Sequence, residues 1–154
     1  MKLFIINPDN GQLVAAKDWR NEEQPKRANF IVIENNDGTR FMMSKKRIAD
    51  GARMTFDDAK KKAAEAEIDG FSGFNLGNLD NWASVYEARF IEDDMDLDDV
   101  LKLIGGDDLF NWCWVDRAFQ SYSNSAWVFN GYHGGLNSGY ARVNAGYARV
   151  FRAF

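Results

Sequence analysis

Short apolar runs separated by turn-forming residues characterise the first part of the chain, and this pattern is typical of β-strands. Residues 2–6 (KLFII) form one such run, and the turn sequence NPDNG at 7–11 ends it. Residues 30–33 (FIVI) and 40–43 (RFMM) flank the sequence NNDG, a strong turn signal. The pattern therefore predicts one strand followed by a β-hairpin in the amino-terminal half.

The apolar residues adopt a helical period after residue 54. Thr55 can cap a helix that continues to about Glu67, and Asn78 can cap a second helix from about Leu79 to Phe90. The first helix is rich in alanine and lysine, and its apolar stripe is narrow. Because the stripe consists mostly of small residues, we expect the helix to pack closely on a sheet.

An acidic segment follows, with six Asp and Glu residues between positions 92 and 99. Asp96, Asp98 and Asp99 would stand at the amino-terminal end of a short helix, where the helix dipole favours anions. This helix would end near residues 105–106. The segment lacks the central glycine and the closing glutamate of an EF-hand loop. We favour a solvated helix cap, while a calcium site or a partner-binding site stays open.

The last third of the chain, from Leu109 onward, contains no Pro, Glu or Lys and is dense in aromatic residues, Asn, Ser, Gly and Arg. Residues 112–115 and 126–129 predict strands joined by a turn at 121–125, and residues 148–154 predict a closing strand with Arg149 and Arg152 directed outward or into ion pairs. The composition of residues 131–144 is that of recognition loops, in which aromatic rings supply contact area and small polar residues supply adaptable hydrogen bonds. We therefore expect this loop to contact a ligand.

Overall composition narrows the possible functions. A chain of 154 residues is most economically a single domain. Its net charge of −4 and pI near 5.0 argue against direct nucleic-acid binding and against attraction to an anionic membrane. The apolar run at the start is too short for a signal peptide, and no window is long enough for a membrane span. We expect a cytoplasmic location at synthesis and no membrane insertion, with a virion-associated or cell-surface destination left open.

Catalytic chemistry has little support in the sequence. Cys113 is the single cysteine and His133 the single histidine, so the chain has no disulfide framework and no histidine-based metal cluster. No nucleophile and base stand at a recognisable spacing. We therefore expect a protein that is not an enzyme and that uses no cofactor and no metal.

Three blocks of sequence carry a resemblance to a known family. The first is FDDAKKKAAEAEIDGFSGFNLGNLDNWASVYEA, the second is DDVLKLIGGDDLFNWCWVDRA, and the third combines SNSAWVFN with the ending YARVFRAF. In order and spacing they resemble bacterial and phage modules that include the Fibrobacter succinogenes major paralogous domain and the carboxy-terminal domain of the Legionella collagen-like adhesin. The resemblance covers residues 53–154.

The resemblance implies an α+β, C-type lectin-like fold, in which two helices flank a small, mostly antiparallel sheet and an irregular loop region displays ligand contacts. Residues 1–52 match the family poorly and are interpreted as an added hairpin and cover, with residues 53–154 as the core of one domain. The family's Trp-Arg-Leu-Pro-Thr stretch corresponds here to residues 74–78 (FNLGN), which lack its arginine and proline. The Glu-Pro-Asn triplet of calcium-dependent lectins is absent, so calcium-mediated sugar binding is not implied.

The tail also resembles the variable proteins of diversity-generating retroelements. In those proteins adenine mutagenesis changes surface asparagine codons to codons for Tyr, Asp, Ser, Gly, Arg, His, Phe or Cys. Residues of this set stand at Cys113, Asp116, Arg117, Phe119, Tyr132, His133, Asn137, Tyr140 and Asn144.

These observations favour a non-catalytic recognition domain that presents an aromatic carboxy-terminal surface to a protein or a glycan. The expected contact residues are Asp116, Arg117, Phe119, Tyr122, Tyr132, His133, Asn137 and Tyr140. Aromatic and arginine anchors on a rigid framework give affinity at a low ordering cost. The alternative is an acidic, phage-type protein that inhibits a host nucleic-acid-binding factor through the carboxylates of residues 92–99 and 107–108.

Overall fold

Helices and antiparallel strands both contribute to the architecture, so the chain has an α+β fold. The computed structural model describes residues 1–92, 94–118 and 124–154, with the backbone alone at positions 138 and 139. In chain order the elements are β1 (Lys2–Ile6), β2 (Leu13–Ala15), α1 (Ala16–Trp19), β3 (Phe30–Glu34), β4 (Arg40–Ser44), α2 (Phe56–Glu65), α3 (Leu79–Ala88), α4 (Leu97–Leu103), β5 (Trp112–Ala118), β6 (Ser125–Asn130), β7 (Gly135–Ala141) and β8 (Phe151–Ala153).

The larger sheet has five strands in the order β2-β1-β3-β4-β8, all antiparallel to their neighbours. The predicted hairpin is confirmed, since β3 and β4 pair from Phe30 opposite Ser44 to Glu34 opposite Arg40. Gly38 closes its turn with a φ of +85°, which glycine adopts without steric cost. Local apolar pattern and turn chemistry were sufficient to predict this element.

The amino-terminal strands belong to the larger sheet. They provide four of its five strands, and the fifth, β8, comes from the other end of the chain. Met43 of β4 lies opposite Phe151 of β8, and both side chains are fully buried. The pairing of β4 with residues more than a hundred positions away leaves no local signal in the sequence.

Side-chain caps set the starts of the three longer helices as predicted. The hydroxyl of Thr55 accepts the backbone N–H of Asp58 at 3.3 Å at the start of α2. Reciprocal capping boxes join Asn78 to Asn81 at α3 and Asp96 to Asp99 at α4. Each box satisfies backbone N–H groups that have no partner within the helix.

The predicted ends of two helices were about two residues too late. α2 ends at Glu65 instead of Glu67, because the chain then turns back so that Ile68 pairs with Phe71. α3 ends at Ala88 instead of Phe90. None of the helices in the described part of the chain has the length and apolar character that a membrane crossing demands.

The smaller sheet has three antiparallel strands in the order β5-β6-β7. The two strands predicted at 112–115 and 126–129 are confirmed and extend to 112–118 and 125–130. Most of the turn predicted between them, residues 121–123, lies outside the described residues. Residues 131–144 were expected as a loop, but positions 135–141 pair with β6 as a third strand. Only the turn at 131–134 and the segment after residue 141 are loops.

Both faces of the smaller sheet contact buried cores. Cys113 and Val115 of β5 lie in the core that contains Trp82 of α3. Trp114, which points to the opposite face, packs in the second core with its ring centroid 5.5 Å from that of Phe56 of α2. The sheet is therefore held between α2 and α3, which fixes the orientation of its strands and turns.

The carboxy-terminal segment crosses between the two sheets. Gly146 bridges to Met54, Tyr147 pairs in parallel with Cys113, and the chain then enters β8. The closing strand has three residues rather than the predicted seven, 148–154. The side chain of Arg152 is exposed as predicted, but the prediction for Arg149 was wrong.

Arg149 is fully buried and has no salt bridge within the described residues. Its guanidinium donates to the carbonyl oxygens of Ser44 and Lys45 at 3.1 and 2.6 Å and to those of Asp107 and Asp108 at 2.8 and 3.1 Å. Burial lowers the pKa of this arginine from its usual value. The side chain joins the end of β4 to the loop after α4, which is a structural role that its polar character did not predict.

Candidate ligand-binding site

A groove of about 460 Å³ opens beside the start of β5, and we call it the aromatic groove. It is lined by Arg47, Arg53, Asp108, Phe110, Asn111, Trp112, Tyr132, Tyr140, Ala145, Gly146 and Tyr147. Its volume falls in the range of about 300–1,000 Å³ that is common for small-molecule sites. Five aromatic rings and three charged side chains thus converge on one concavity.

Strand geometry places two of these rings in contact across the smaller sheet. Trp112 at the start of β5 stacks on Tyr140 of β7, with centroids 5.7 Å apart and an interplanar angle of 18°. The ring of Trp114 lies 5.2 Å from that of Tyr140. The phenol hydroxyl of Tyr140 donates to the carbonyl of Ala145 at 3.1 Å. These contacts hold Tyr140 in a single position while leaving it half-buried.

The opposite wall of the groove combines Tyr147 with a cation. The guanidinium carbon of Arg47 lies 4.5 Å from the centroid of the Tyr147 ring, a cation–π distance. The same guanidinium approaches the carboxylate of Asp108 at 3.4 Å. The Nε atom of Arg47 is buried and has no hydrogen-bond partner among the described residues. Arg47 therefore stiffens this wall with its charge largely balanced by Asp108.

The turn at 131–134 carries the mouth of the groove. Tyr132 follows Gly131 and donates its backbone N–H to the side chain of Asn130 at 3.0 Å. Arg89 of α3 donates to the carbonyl of Gly131 at 2.9 Å and pairs with Asp98 at 3.1 Å. The turn is thereby fixed to α3 and, through Asp98, to α4.

Close contacts restrict this turn further. A Cβ atom added at Gly131 would lie 1.3 Å from the carbonyl oxygen of Leu109. At Gly134, where φ is +70°, an added Cβ would lie 1.9 Å from the ring of Tyr86. Glycine at both positions lets the turn approach its neighbours closely, so the turn is a rigid support for the exposed rings beside it.

Four large aromatic side chains around the turn are exposed, and we call them the aromatic rim. They are Tyr86, Phe90, Phe110 and Tyr132, with exposed fractions of 38, 62, 48 and 62%. Phe110 and Tyr132 approach with centroids 6.3 Å apart, and Tyr86 and Phe90 with centroids 5.0 Å apart. The guanidinium carbon of Arg89 lies 4.9 Å from the centroid of Phe110. Phe110 and Tyr132 belong to both the rim and the groove.

The structure brings together some of the eight predicted contact residues. Tyr132 and Tyr140 line the groove, and His133 is exposed on the same turn as Tyr132. Asn137 is exposed on β7. Phe119 and Tyr122 lie outside the described residues.

The other two predicted contacts lie elsewhere on β5. Asp116 is half-buried, its backbone N–H donates to the carbonyl of Gly77 at 2.7 Å, and its carboxylate pairs with Lys60 of α2 at 3.4 Å. Arg117 is exposed next to it. Neither residue is among those that line the groove.

Sequence reasoning missed most of the other lining residues. Phe110 and Trp112 lie in the aromatic tail, but neither was among the expected contact residues. Tyr147 directly precedes the segment 148–154, which was predicted only as a closing strand. Arg47 and Arg53 come from the segment before α2, and no local pattern connects them with residues about a hundred positions later. The density of aromatic residues after Leu109 was the one useful signal.

The acidic segment is largely committed to local interactions. Asp96 caps α4, Asp98 pairs with Arg89, and the carboxylate of Asp94 accepts the backbone N–H of Met95 at 2.7 Å. Burial, opposed in part by the backbone N–H of Asp99, raises the pKa of Asp96. Asp93 lies outside the described residues. Where the structure describes the chain, no three His, Cys, Asp or Glu side chains are grouped as metal ligands.

Cys113 lies under the groove but is closed off from it. Its side chain is buried, and the thiol donates to the amide oxygen of Asn111 at 2.9 Å. Burial raises the pKa of this thiol to about 11, so the thiolate is a very small fraction at neutral pH. The thiol is therefore unsuited to act as a nucleophile in this state.

Comparison with known proteins adds no relative to this description, since no protein-family model and no curated protein matches the chain.

Proposed function

We propose that this protein is a non-catalytic recognition domain that binds a protein or glycan ligand through the aromatic rim and the aromatic groove. The observation that carries the proposal is the position of Phe110 and Tyr132, two exposed rings at the mouth of a groove lined by three further rings. Exposing large rings to water is unfavourable, so a cluster of them on a protein surface commonly marks a binding site.

The chemistry of the rim is that of binding hot spots. Aromatic residues and arginine are enriched in such sites, and aromatic rings bury a large area with few rotatable bonds. Here Arg89 lies against Phe110, and Tyr132 belongs to both the rim and the groove. The supporting turn is held by hydrogen bonds from Arg89 and to Asn130, so little ordering entropy would be lost on binding.

The same proposal includes a C-type lectin-like fold. It is supported by the order β4, α2, α3, the three-stranded sheet and a final strand that returns to β4. This order has two helices beside a small antiparallel sheet, as the family resemblance implies. The strands β1 to β3 would then be an extension of the sheet that holds the two ends of the lectin-like core.

The proposal extends to a phage or bacterial receptor-recognition protein, or a variable protein of a diversity-generating retroelement. The exposure of Tyr132, His133 and Asn137 supports the second reading, since diversified positions must reach the ligand. The coding DNA tests it: a nearby near-copy of the last hundred or so bases, differing at adenines, is expected beside a reverse transcriptase gene. A coding region without such a copy would exclude the variable-protein reading and leave the recognition proposal in place.

Replacing both Phe110 and Tyr132 by alanine is expected to weaken ligand binding by about thirtyfold or more, because each removes a hot-spot ring. The unfolding free energy should change by less than about 1 kcal/mol, since both rings are substantially exposed. Labelled protein applied to a printed glycan array and to a library of displayed peptides measures binding, and thermal unfolding measures stability.

Phe154→Ala is the matched control, because Phe154 is 44% exposed but does not line the groove. This control should bind every target that the unmodified protein binds. Equal losses in the control and the double variant would show that the rim has no special role. Full binding by the double variant would place the ligand site elsewhere and overturn the proposal.

The acidic-inhibitor alternative has weaker support, because several of its carboxylates already cap helices or pair with arginines. This alternative predicts a different result in the same binding assay. Binding that falls steeply with salt concentration and survives the loss of Phe110 and Tyr132 would favour that alternative.

A further inference from the structure

We propose that the aromatic groove binds an acidic sugar, a hexose ring bearing a carboxylate, with the carboxylate on Arg53 and the ring face against the aromatic wall. This inference rests on the proposed recognition function and specifies the ligand class for one part of that surface. It follows from the charge balance of the groove, from its rings and hydroxyl groups, and from the pairing of the strand beside it.

The groove has one cation that is not balanced within the described part of the chain. Of its charged lining residues, Arg47 and Asp108 approach each other at 3.4 Å. Arg53 is exposed, and its side chain has no hydrogen bond or ion pair with any described residue. A guanidinium in this setting can bind a carboxylate through two parallel N–H donors, which is a strong and directional interaction. The groove is therefore complementary to an anion at the Arg53 end.

The rings of the groove match the shape of a sugar. One face of a pyranose carries C–H groups of weakly positive charge, and the face of an aromatic ring is weakly negative, so the two attract each other. Trp112 and Tyr147 are half-buried rings that line the groove, and they pack against Tyr140 and Arg47 respectively. The groove thus presents parts of two aromatic rings to a saccharide ring.

Hydroxyl groups at the groove provide polar partners. The phenol oxygens of Tyr132 and Tyr147 have no hydrogen-bond partner among the described residues, although both residues line the groove. A phenol can both donate and accept, as can a sugar hydroxyl. A sugar with several hydroxyls would use these groups better than a purely apolar ligand would.

An acidic peptide in an extended conformation fits this groove less well than a sugar does. Extended peptides commonly bind by pairing their backbone with a free strand edge. The edge of β5 beside the groove is already paired, since Tyr147 donates to the carbonyl of Trp112 and accepts the N–H of Trp114, both at 2.9 Å. The β5 edge beside the groove is therefore closed to a peptide strand at Trp112 and Trp114, which favours a sugar over a peptide strand there.

Titration of the unmodified protein with uronic acids and their neutral hexose counterparts tests the proposal. The probes are glucuronate-, galacturonate- and mannuronate-terminated oligosaccharides and the matching glucose, galactose and mannose forms. Calorimetry gives the affinity, and tryptophan fluorescence reports on Trp112. At least one acidic form is expected to bind about tenfold or more tightly than its neutral counterpart, because a charged hydrogen bond is lost in the neutral form.

Arg53→Gln should abolish this preference without changing the melting temperature, because the Arg53 side chain is exposed and has no hydrogen bond or ion pair with a described residue. Arg20→Gln is the matched control, since Arg20 is also exposed, has no hydrogen bond or ion pair from its side chain within the described residues and lies outside the groove. The control should retain the full preference.

Three outcomes would overturn the inference. They are equal binding of acidic and neutral sugars, a preference unchanged in Arg53→Gln, and no binding of any uronate at millimolar concentration. An acidic peptide that binds in an Arg53-dependent manner while uronates do not would also overturn it. In each of these cases the proposed recognition function is judged separately, by the array binding of the Phe110 and Tyr132 double variant.

Discussion

Arg149→Leu is expected to lower the free energy of unfolding by about 4 kcal/mol, or to prevent folding, because buried acceptors left without partners each cost roughly 1–3 kcal/mol. The side chain is fully buried and donates to four backbone carbonyls from two separate segments, 44–45 and 107–108. Leucine fills part of the volume but supplies no donor. Some of the carbonyls keep a second partner, such as that of Lys45, which also accepts the N–H of Asp107 at 2.9 Å. The expected loss of unfolding free energy is therefore smaller than the cost of leaving all four carbonyls without a partner.

Urea unfolding followed by circular dichroism measures this effect, and two further variants interpret it. Arg152→Leu is the control, since Arg152 is exposed and, within the described residues, its side chain donates one hydrogen bond, to the carbonyl of Ser72 at 3.1 Å. This substitution should cost less than about 1 kcal/mol. Arg149→Lys keeps the charge, but its single ammonium group cannot donate to both segments at once. The stability of this variant should therefore lie between those of Arg149→Leu and the unmodified protein. A leucine variant as stable as the unmodified protein would show that Arg149 does not hold these segments together.

Gly131→Ala is expected to destabilise the fold by about 3 kcal/mol and to remove ligand binding. An extra methyl group in a tightly packed site costs about 1–3 kcal/mol, and here the backbone must shift to make room for it. The new Cβ would lie 1.3 Å from the carbonyl oxygen of Leu109 and 3.1 Å from the backbone nitrogen of Asn111. Neither backbone atom can rotate away as a flexible side chain can. The turn must move, and Tyr132 moves with it.

The movement also breaks the hydrogen bond between Arg89 and the carbonyl of Gly131. Binding should therefore fall at temperatures where the variant is still folded, which separates displacement of the site from simple unfolding. Gly135→Ala, four positions along, is the matched control: no atom lies within 4 Å of its added Cβ, and its φ is not in the left-handed region. It should leave stability within about 0.5 kcal/mol and binding unchanged. A Gly131→Ala variant with normal stability and binding would contradict the rigid-turn description.

Elements that depend on neighbouring residues were predictable from the sequence. The hairpin at 30–44 follows from two apolar runs around NNDG, and its register agrees. The caps at Thr55, Asn78 and Asp96 follow from side chains that bond three residues along the chain. In each case the stabilising contact lies within one turn of the backbone, so the local sequence contains the required information.

The candidate site was predictable only in part. Tyr132 and Tyr140 were identified from the composition of their segment, and both line the groove. Arg53 could not be connected with them, because its relation to the aromatic tail depends on the bridge between Met54 and Gly146. Asp116 was expected in the site, but its ion pair with Lys60 directs it toward α2. Polarity and aromatic content identify candidate residues, whereas the strand partners decide which of them meet.

The amino-acid sequence by itself determined the class of structure, an α+β chain with a capped pair of helices and an aromatic, glycine-rich tail. Only the tertiary structure decided that the amino-terminal strands and β8 form one sheet, that Arg149 is buried, and that a groove exists beside β5. The physical reason is sequence separation. The Arg149 hydrogen bonds to β4 and the adjoining Lys45 join residues 104 and 105 positions apart, and such contacts form only when distant segments are folded together.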